Sequence, residues 1–106
     1  QIRAYICKHL HDRRLRPAMI AAAFAISTRH LHSLFETESL TLGRFIKRQR
    51  LQAARQMLLS AGRASTRSLT EVALECGFYD LSHLSRSFRE EFGIPPLEFR
   101  SCLDAN

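Results

Sequence analysis

Cysteine and histidine have the widest chemical reach of any side chains in this 106-residue chain, which holds three of the first and five of the second. Cys7, His9 and His11 stand close together, and His30 and His32 form a separate pair. Metal ligands on one helix face ask for spacings of about four, whereas spacings of two send neighbours to different sides. Neither CxxC nor HExxH occurs. A nucleophilic thiol needs a positioned base, and none of Cys7, Cys76 and Cys102 lies in a supporting local signature; Cys76 falls on the apolar face of a short helix. The expectation is no metal, no cofactor and no enzymatic activity. What remains is hydrogen-bonding chemistry. "HLHSLF" at 30–35 and "HLSRSF" at 83–88 repeat the frame His-Leu-x-x-x-Phe after a shift of 53 positions, with Arg, His and Ser set around fixed apolar residues.

Such side chains act only if something holds them, and the chain offers helices for the purpose. Ile2, Tyr5, Ile6 and Leu10 make one stripe of a first helix over 2–11. Pro17 suits the first turn of a second, 17–24, and Ser27 the N-cap of a third, 28–37. Thr41 caps a long fourth helix, 42–61, whose Leu42, Phe45, Ile46, Ala53, Ala54, Met57 and Leu58 recur at helical spacing, with Gly62 as its stop. "GRASTR" at 62–67 reads as a linker. Ser68 and Glu71 open a fifth helix with a capping-box pattern, ended by Gly77. Asp80 caps a sixth that stops at Gly93, and Pro95-Pro96 starts a seventh, to about Leu103. Strand patterns and hairpin turns are missing. The fold class expected is all-α, about seven helices forming two helix-turn-helix subdomains joined by a long linker helix. The lobes would span 1–40 and 62–106, with the linker helix at 41–61.

The repeat extends beyond the opening phrase. "MIAAAFAISTRHLHSLF" (19–35) aligns with "EVALECGFYDLSHLSRSF" (71–88) with one extra residue in the second turn, pairing Ala21 with Ala73, Ala25 with Gly77 and Ile26 with Phe78. A small residue lets two helices approach, and Leu and Phe four apart bury one face of the second helix. The opposite face stays outside. In a helix-turn-helix that face enters the DNA major groove, whereas a plain helical hairpin, serving as a protein-interaction module, shares the packing without base readout. The fourth helix, twenty residues at about 1.5 Å each, is a rod of roughly 30 Å, close to the 34 Å between successive major grooves. The small shortfall implies a bent duplex.

Charge points the same way. The net charge is +6, but residues 1–50 carry ten basic against three acidic side chains, while 51–106 carry six against seven. A basic half suits a polyanionic partner. An odd cysteine count at unrelated spacings speaks for a reducing compartment, and no apolar run approaches the roughly 20 residues of a membrane span. A chain starting at Gln1, with no leader visible, reads as part of a longer protein.

"ALECGFYDLSHLSRSFREEFGIPPLEFR" (73–100) closely resembles the C-terminal signature of AraC/XylS-type bacterial transcription regulators. The matching positions are Ala73, Gly77, Phe78, Ser82, His83, Leu84, Arg86, Phe88, Phe92, Gly93, Pro96, Phe99 and Arg100, and "RHLHSLF" and "FIKRQRLQAARQMLL" look like the family's first motif and linker helix. The likeness covers about 15–103. It departs at Ala25, where the family usually has Gly, in "ETESLTLG" (36–43), one residue short, and in a longer 62–68 linker. The resemblance implies double-stranded promoter DNA as partner, an activator or repressor role, contacts to RNA polymerase, and an upstream effector-binding or dimerisation domain in many members.

It also implies roles. With Leu31, Leu34 and Phe35 inward, Arg29, His32, Ser33 and Glu36 face out, and the family's base-facing positions fall on Arg29, His32 and Ser33. Arg29 suits a guanine edge or a phosphate equally. With Leu84, Phe88 and Phe92 inward, Ser82, Ser85, Arg86 and Arg89 face out. Ser82, Ser85 and Arg86 are expected at bases, Arg86 foremost. Thr28, Lys47, Arg48, His83 and Arg89 are expected at the DNA backbone, and Arg50 and Arg100 are expected to be structural. Acidic Glu90, Glu91 and Glu98 could serve polymerase or another protein.

Overall fold

The computed structural model describes residues 1–35, 41–61 and 68–104. Seven helices occupy the described residues, with no strand among them: α1 (Ile2–Lys8), α2 (Pro17–Ala23), α3 (Thr28–Phe35), α4 (Leu42–Ala61), α5 (Leu69–Glu75), α6 (Leu81–Phe92) and α7 (Pro96–Asp104). The all-α expectation holds. The departures in 36–40 and 62–67 lie outside the described residues.

The capping chemistry falls where the side chains allow. Ser27 Oγ accepts from the His30 N–H at 3.0 Å, Thr41 Oγ1 from Arg44 at 3.3 Å, Ser68 Oγ from Glu71 at 3.1 Å and Asp80 Oδ1 from His83 at 2.8 Å. Each satisfies one of the N–H groups that a helix start leaves unpaired. Pro17 opens α2, where its missing N–H costs nothing, and Gly93 closes α6 in the left-handed region. The first helix is shorter than the apolar stripe suggests. It ends at Lys8 rather than near residue 11, because the chain turns at Asp12, whose carboxylate accepts from the Arg14 N–H at 2.9 Å. The Leu10 and Asp12 carbonyls then bond the Arg50 side chain at 3.1 and 2.7 Å.

Two hydrophobic cores result. Ile6, Leu15, Ile20, Ala21 and Leu31 form the first with Leu42, Phe45 and Ile46 of α4. Leu69, Val72, Ala73, Cys76, Phe78, Leu84 and Phe88 form the second with Leu51, Ala54 and Leu58 of α4. Helix α4 thus belongs to both. At 3.6 residues per turn, the second buried set sits roughly 150° around the helix from the first. The linker helix is not one amphipathic rod, as its 3–4 spacing suggests. It changes its buried face near the middle, and Arg50 stands at the change.

The two turns use the same backbone bonds. Ile26 N–H donates to the Ala21 carbonyl at 3.0 Å and Ala25 N–H to Ala22 at 3.2 Å; Phe78 donates to Ala73 at 2.9 Å and Gly77 to Leu74 at 3.2 Å. This is the Schellman arrangement, which needs a left-handed residue after the cap. Ala25 takes that place at φ 55 and Gly77 at φ 89. Ala25 is exposed, whereas a Cβ on Gly77 would collide with the Leu10 carbonyl oxygen and stand 2.7 Å from Arg50 Nε. Opposite outcomes follow for one kind of swap. Ala25→Gly is expected to stabilise by up to about 1 kcal/mol, since relief of left-handed strain outweighs the entropy glycine loses. Gly77→Ala is expected to cost at least about 2 kcal/mol, from strain plus overpacking. Thermal melts of both variants check this, and equal shifts would contradict it.

Candidate nucleic-acid interface

Helix α3 is held by Leu31, which is fully buried, and by the cap from Ser27. Its exposed residues include Thr28, Arg29, His30, His32 and Ser33. Four of these, Thr28, Arg29, His32 and Ser33, are the ones expected at DNA, so the first motif does present its donors together. Leu34 does not turn inward as expected; it is 48% exposed. The reason lies in the second motif, where the same repeat shift places Ser87. Ser87 is 3% exposed and lines, with Leu51, the cleft between α4 and α6. Helix α4 covers that position of α6, whereas Leu34 is left exposed among the described residues. Glu36 lies outside the described residues, and the Phe35 side chain with it.

Helix α6 is anchored by Leu84 and Phe88, both fully buried, with Phe92 and Phe99 edge-on to Phe88 at 4.6 and 5.5 Å. Ser82, Arg86 and Arg89 are exposed and Ser85 is half-buried, all on the outer side. Sequence reasoning passed over Ser87. A small polar residue between Leu84 and Phe88 was the available signal, since any longer side chain there would push α4 away.

His83 has a local task. Its Nδ1 lies 3.3 Å from the Tyr79 N–H and accepts from it, and its ring stacks on Tyr79 at 5.6 Å and meets Phe78 edge-on at 5.1 Å. An accepting Nδ1 leaves Nε2 as the donor of the neutral ring. Burial pushes the His83 pKa below its ordinary value, helped by Arg86 and Lys47 and, more weakly, Arg50, with Asp80 opposing.

The two expected backbone anchors on α4 are tied to α6. Lys47 Nζ lies 3.5 Å from Glu90 and Arg48 Nη2 3.4 Å from Glu91, both pairs exposed. Exposed pairs of this kind contribute less than about 1 kcal/mol and give way readily to a stronger anion. Arg50 is structural, as expected. It is half-buried and donates to two backbone carbonyls, and burial pulls its pKa below the ordinary value. Tyr5 packs on His9 at 4.1 Å, whereas Tyr79, 62% exposed, is held at the surface by His83 and by Arg13, whose guanidinium lies 5.9 Å from its ring. Among the described residues, no three His, Cys, Asp or Glu side chains gather as metal ligands, and no helix is long and apolar enough to cross a membrane.

Known proteins share this pattern. A helix-turn-helix domain family model matches residues 20–101. The HTH-type transcriptional activator RhaS of Escherichia fergusonii is 44% identical over 88 residues, 82% of this chain and 30% of that protein. The fold matches the DNA-binding domain of AdpA, a global transcriptional factor solved with a target DNA, at TM-score 0.85 and 27% identity over 98% of this chain and 90% of that one. It matches a probable AraC family transcriptional regulator from Rhodopseudomonas palustris at TM-score 0.79 and 31% identity over 97% of this chain and 94% of that one. The chain spans about 30% of the length of the curated relatives it matches.

The His83 geometry sets a pH dependence. The unfolded ring takes a proton near pH 6.5, the folded ring only at lower pH, so acid favours the unfolded chain. The stabilisation is fully present above 6.5 and is lost as pH falls through the folded value. The melting temperature is expected to drop between about pH 7.5 and about pH 5.5. The drop should be smaller in His83→Gln. An identical pH profile for both proteins would remove the role given to the Tyr79 bond.

Proposed function

The chain belongs to the AraC/XylS-type family of helix-turn-helix regulators, and from that membership we propose that it reads double-stranded DNA with α3 and α6 set in adjacent major grooves, regulating transcription at bacterial promoters. The family is one of DNA-binding regulators rather than enzymes. The observation that carries the reading is the duplication: two identical hydrogen-bonded turns, each presenting a helix with a buried Leu and a polar outer face. Dimensions support it. Two helices about 34 Å apart, each about 10 Å across, need about 44 Å. The folded chain is 47 Å long and 23 by 22 Å across.

In this reading Arg29, His32 and Ser33 of α3, and Ser82, Ser85 and Arg86 of α6, face base edges. A guanidinium can bond guanine O6 and N7 together, and serines reach bases directly or through water. Thr28, Lys47, Arg48 and Arg89 meet phosphates, as does His83 through Nε2. Lys47 and Arg48 exchange their exposed Glu90 and Glu91 partners for phosphate on binding. The basic first half anchors, and the second half, without net positive charge, leans on fitted contacts. The duplex bends to meet the rod. In the whole protein, an upstream effector-binding or dimerisation domain controls this unit, contacts to RNA polymerase carry activation, and the site of action is the cytoplasmic nucleoid.

Footprinting tests the reading. At saturating protein, one chain is expected to protect two major-groove segments about one helical turn apart, with affinity falling steeply as salt rises, by about 0.9 in log–log slope per phosphate neutralised. A single short protected patch, or a slope near zero, would count against it.

Base and backbone contacts separate by mutation. Arg86→Ala is expected to lose preference at one operator position, by roughly 1–3 kcal/mol, while Lys47→Ala weakens all sequences alike. Competition against a panel of single-base variants measures both. Uniform loss in Arg86→Ala would make Arg86 a phosphate clamp.

A further inference from the structure

Three segments distant in the chain meet at Arg50. Its Nε–H donates to the Leu10 carbonyl at 3.1 Å and its Nη2–H to the Asp12 carbonyl at 2.7 Å, both in the turn after α1. The turn between α5 and α6 lies against the same spot. Gly77 is buried there with no room for a Cβ, which would run into the bonded pair of the Leu10 oxygen and Arg50 Nε. Beside it, the Arg13 guanidinium sits over the Tyr79 ring at 5.9 Å. The first lobe, the linker helix and the turn that launches the second reading helix are therefore joined at one point. A helix alone sets the distance between two lobes. It does not by itself stop one lobe from rolling or tilting against the other.

We propose that Arg50 is a positioning residue for DNA recognition: by holding the first-lobe turn against the Gly77 turn, it fixes the angle between α3 and α6, and the protein thereby selects operators by half-site spacing as well as by base sequence. The inference rests on the two-groove reading above. Geometry makes spacing a sharp variable. Each added base pair moves a half-site by about 3.4 Å and rotates it by about 34° around the duplex. Two readers locked at one angle cannot follow that rotation, and the gain from joining them, about 10²–10⁴-fold for linked sites, is lost when both cannot engage together. A loose joint follows it at the cost of weaker binding at the native spacing. Arg50 suits the task because a planar fork bonds two carbonyls at once; a lysine offers a single ammonium with no fixed fork.

The test uses a duplex recovered from a random pool by the wild-type chain, together with versions in which the half-sites are one base pair closer or farther and a version carrying one half-site. Wild type is expected to lose at least about 10-fold on respacing, and Arg50→Met only about 2-fold, with weaker binding at the native spacing and unchanged binding to the single half-site. Arg50→Lys, which keeps the charge and stem, is expected to fall between them, and it carries the test if Arg50→Met does not fold. A folded Arg50→Met or Arg50→Lys chain with the full wild-type spacing penalty overturns the role of Arg50 while leaving the two-groove reading intact. A wild-type chain indifferent to spacing overturns that reading, and the proposal with it.

Discussion

A guanidinium donating to two backbone carbonyls is the constraint on which this molecule's arrangement turns. Helix α1 stops after seven residues, at Lys8, and the turn that follows carries carbonyls that no helix of its own satisfies. The Leu10 and Asp12 oxygens find a donor in Arg50, forty and thirty-eight positions away. Charge-assisted bonds of this kind are among the stronger ones in a protein; removing the donor would take this partner from the part-buried Leu10 oxygen, while the Asp12 oxygen keeps the Leu15 N–H at 3.0 Å. Arg50 sits in α4 where that helix changes its buried face, so a single side chain marks the boundary between the cores and also bridges it. Gly77 completes the joint by having no side chain to hold it open.

The two motifs share a backbone and differ in their surroundings, and their chemistry follows from that difference. The first turn tolerates Ala25 at a left-handed φ because it is exposed and only local strain is at stake. The second turn is pressed against the first lobe and admits only glycine. At the matching place on the reading helices, Leu34 stands in solvent and Ser87 is buried under α4. Helix α4 thus covers the second reading helix at Ser87, whereas in the first lobe it joins the core through Leu42, Phe45 and Ile46 and leaves Leu34 exposed. The proposed division of labour, general attraction to phosphate in the basic first half and fitted contacts in the second, matches this difference in surroundings.

Much of this was legible in the sequence, because the signals were local. Caps at Ser27, Thr41, Ser68 and Asp80, the stop at Gly93 and the span of α4 follow from side chains that act on their own backbone. The outward placement of Arg29, His32, Ser33, Ser82 and Arg86 follows from the Leu and Phe beside them. What the sequence hid is tertiary. The tie between the turn after α1 and the rest of the fold depends on a donor from α4, the exposure of Leu34 on which helix lies over it, and the change of face in α4 on two cores sharing one helix. The sequence offers His83 as a backbone contact; its bond to Tyr79 is visible only once the turn is folded.

The shared helix also limits how such a protein can change. One residue inserted into α4 would lengthen it by about 1.5 Å and rotate everything beyond by about 100°, carrying the second core off its face. Only insertions near whole turns, about seven residues for two turns, keep both faces in phase, and they lengthen the rod by about 10 Å. DNA advances in a different pitch, about 3.4 Å and 34° per base pair. The two screws do not mesh in small steps. The reach between α3 and α6 is therefore a fixed gauge that changes only in whole-turn steps, whereas the outer side chains of these helices can vary one at a time.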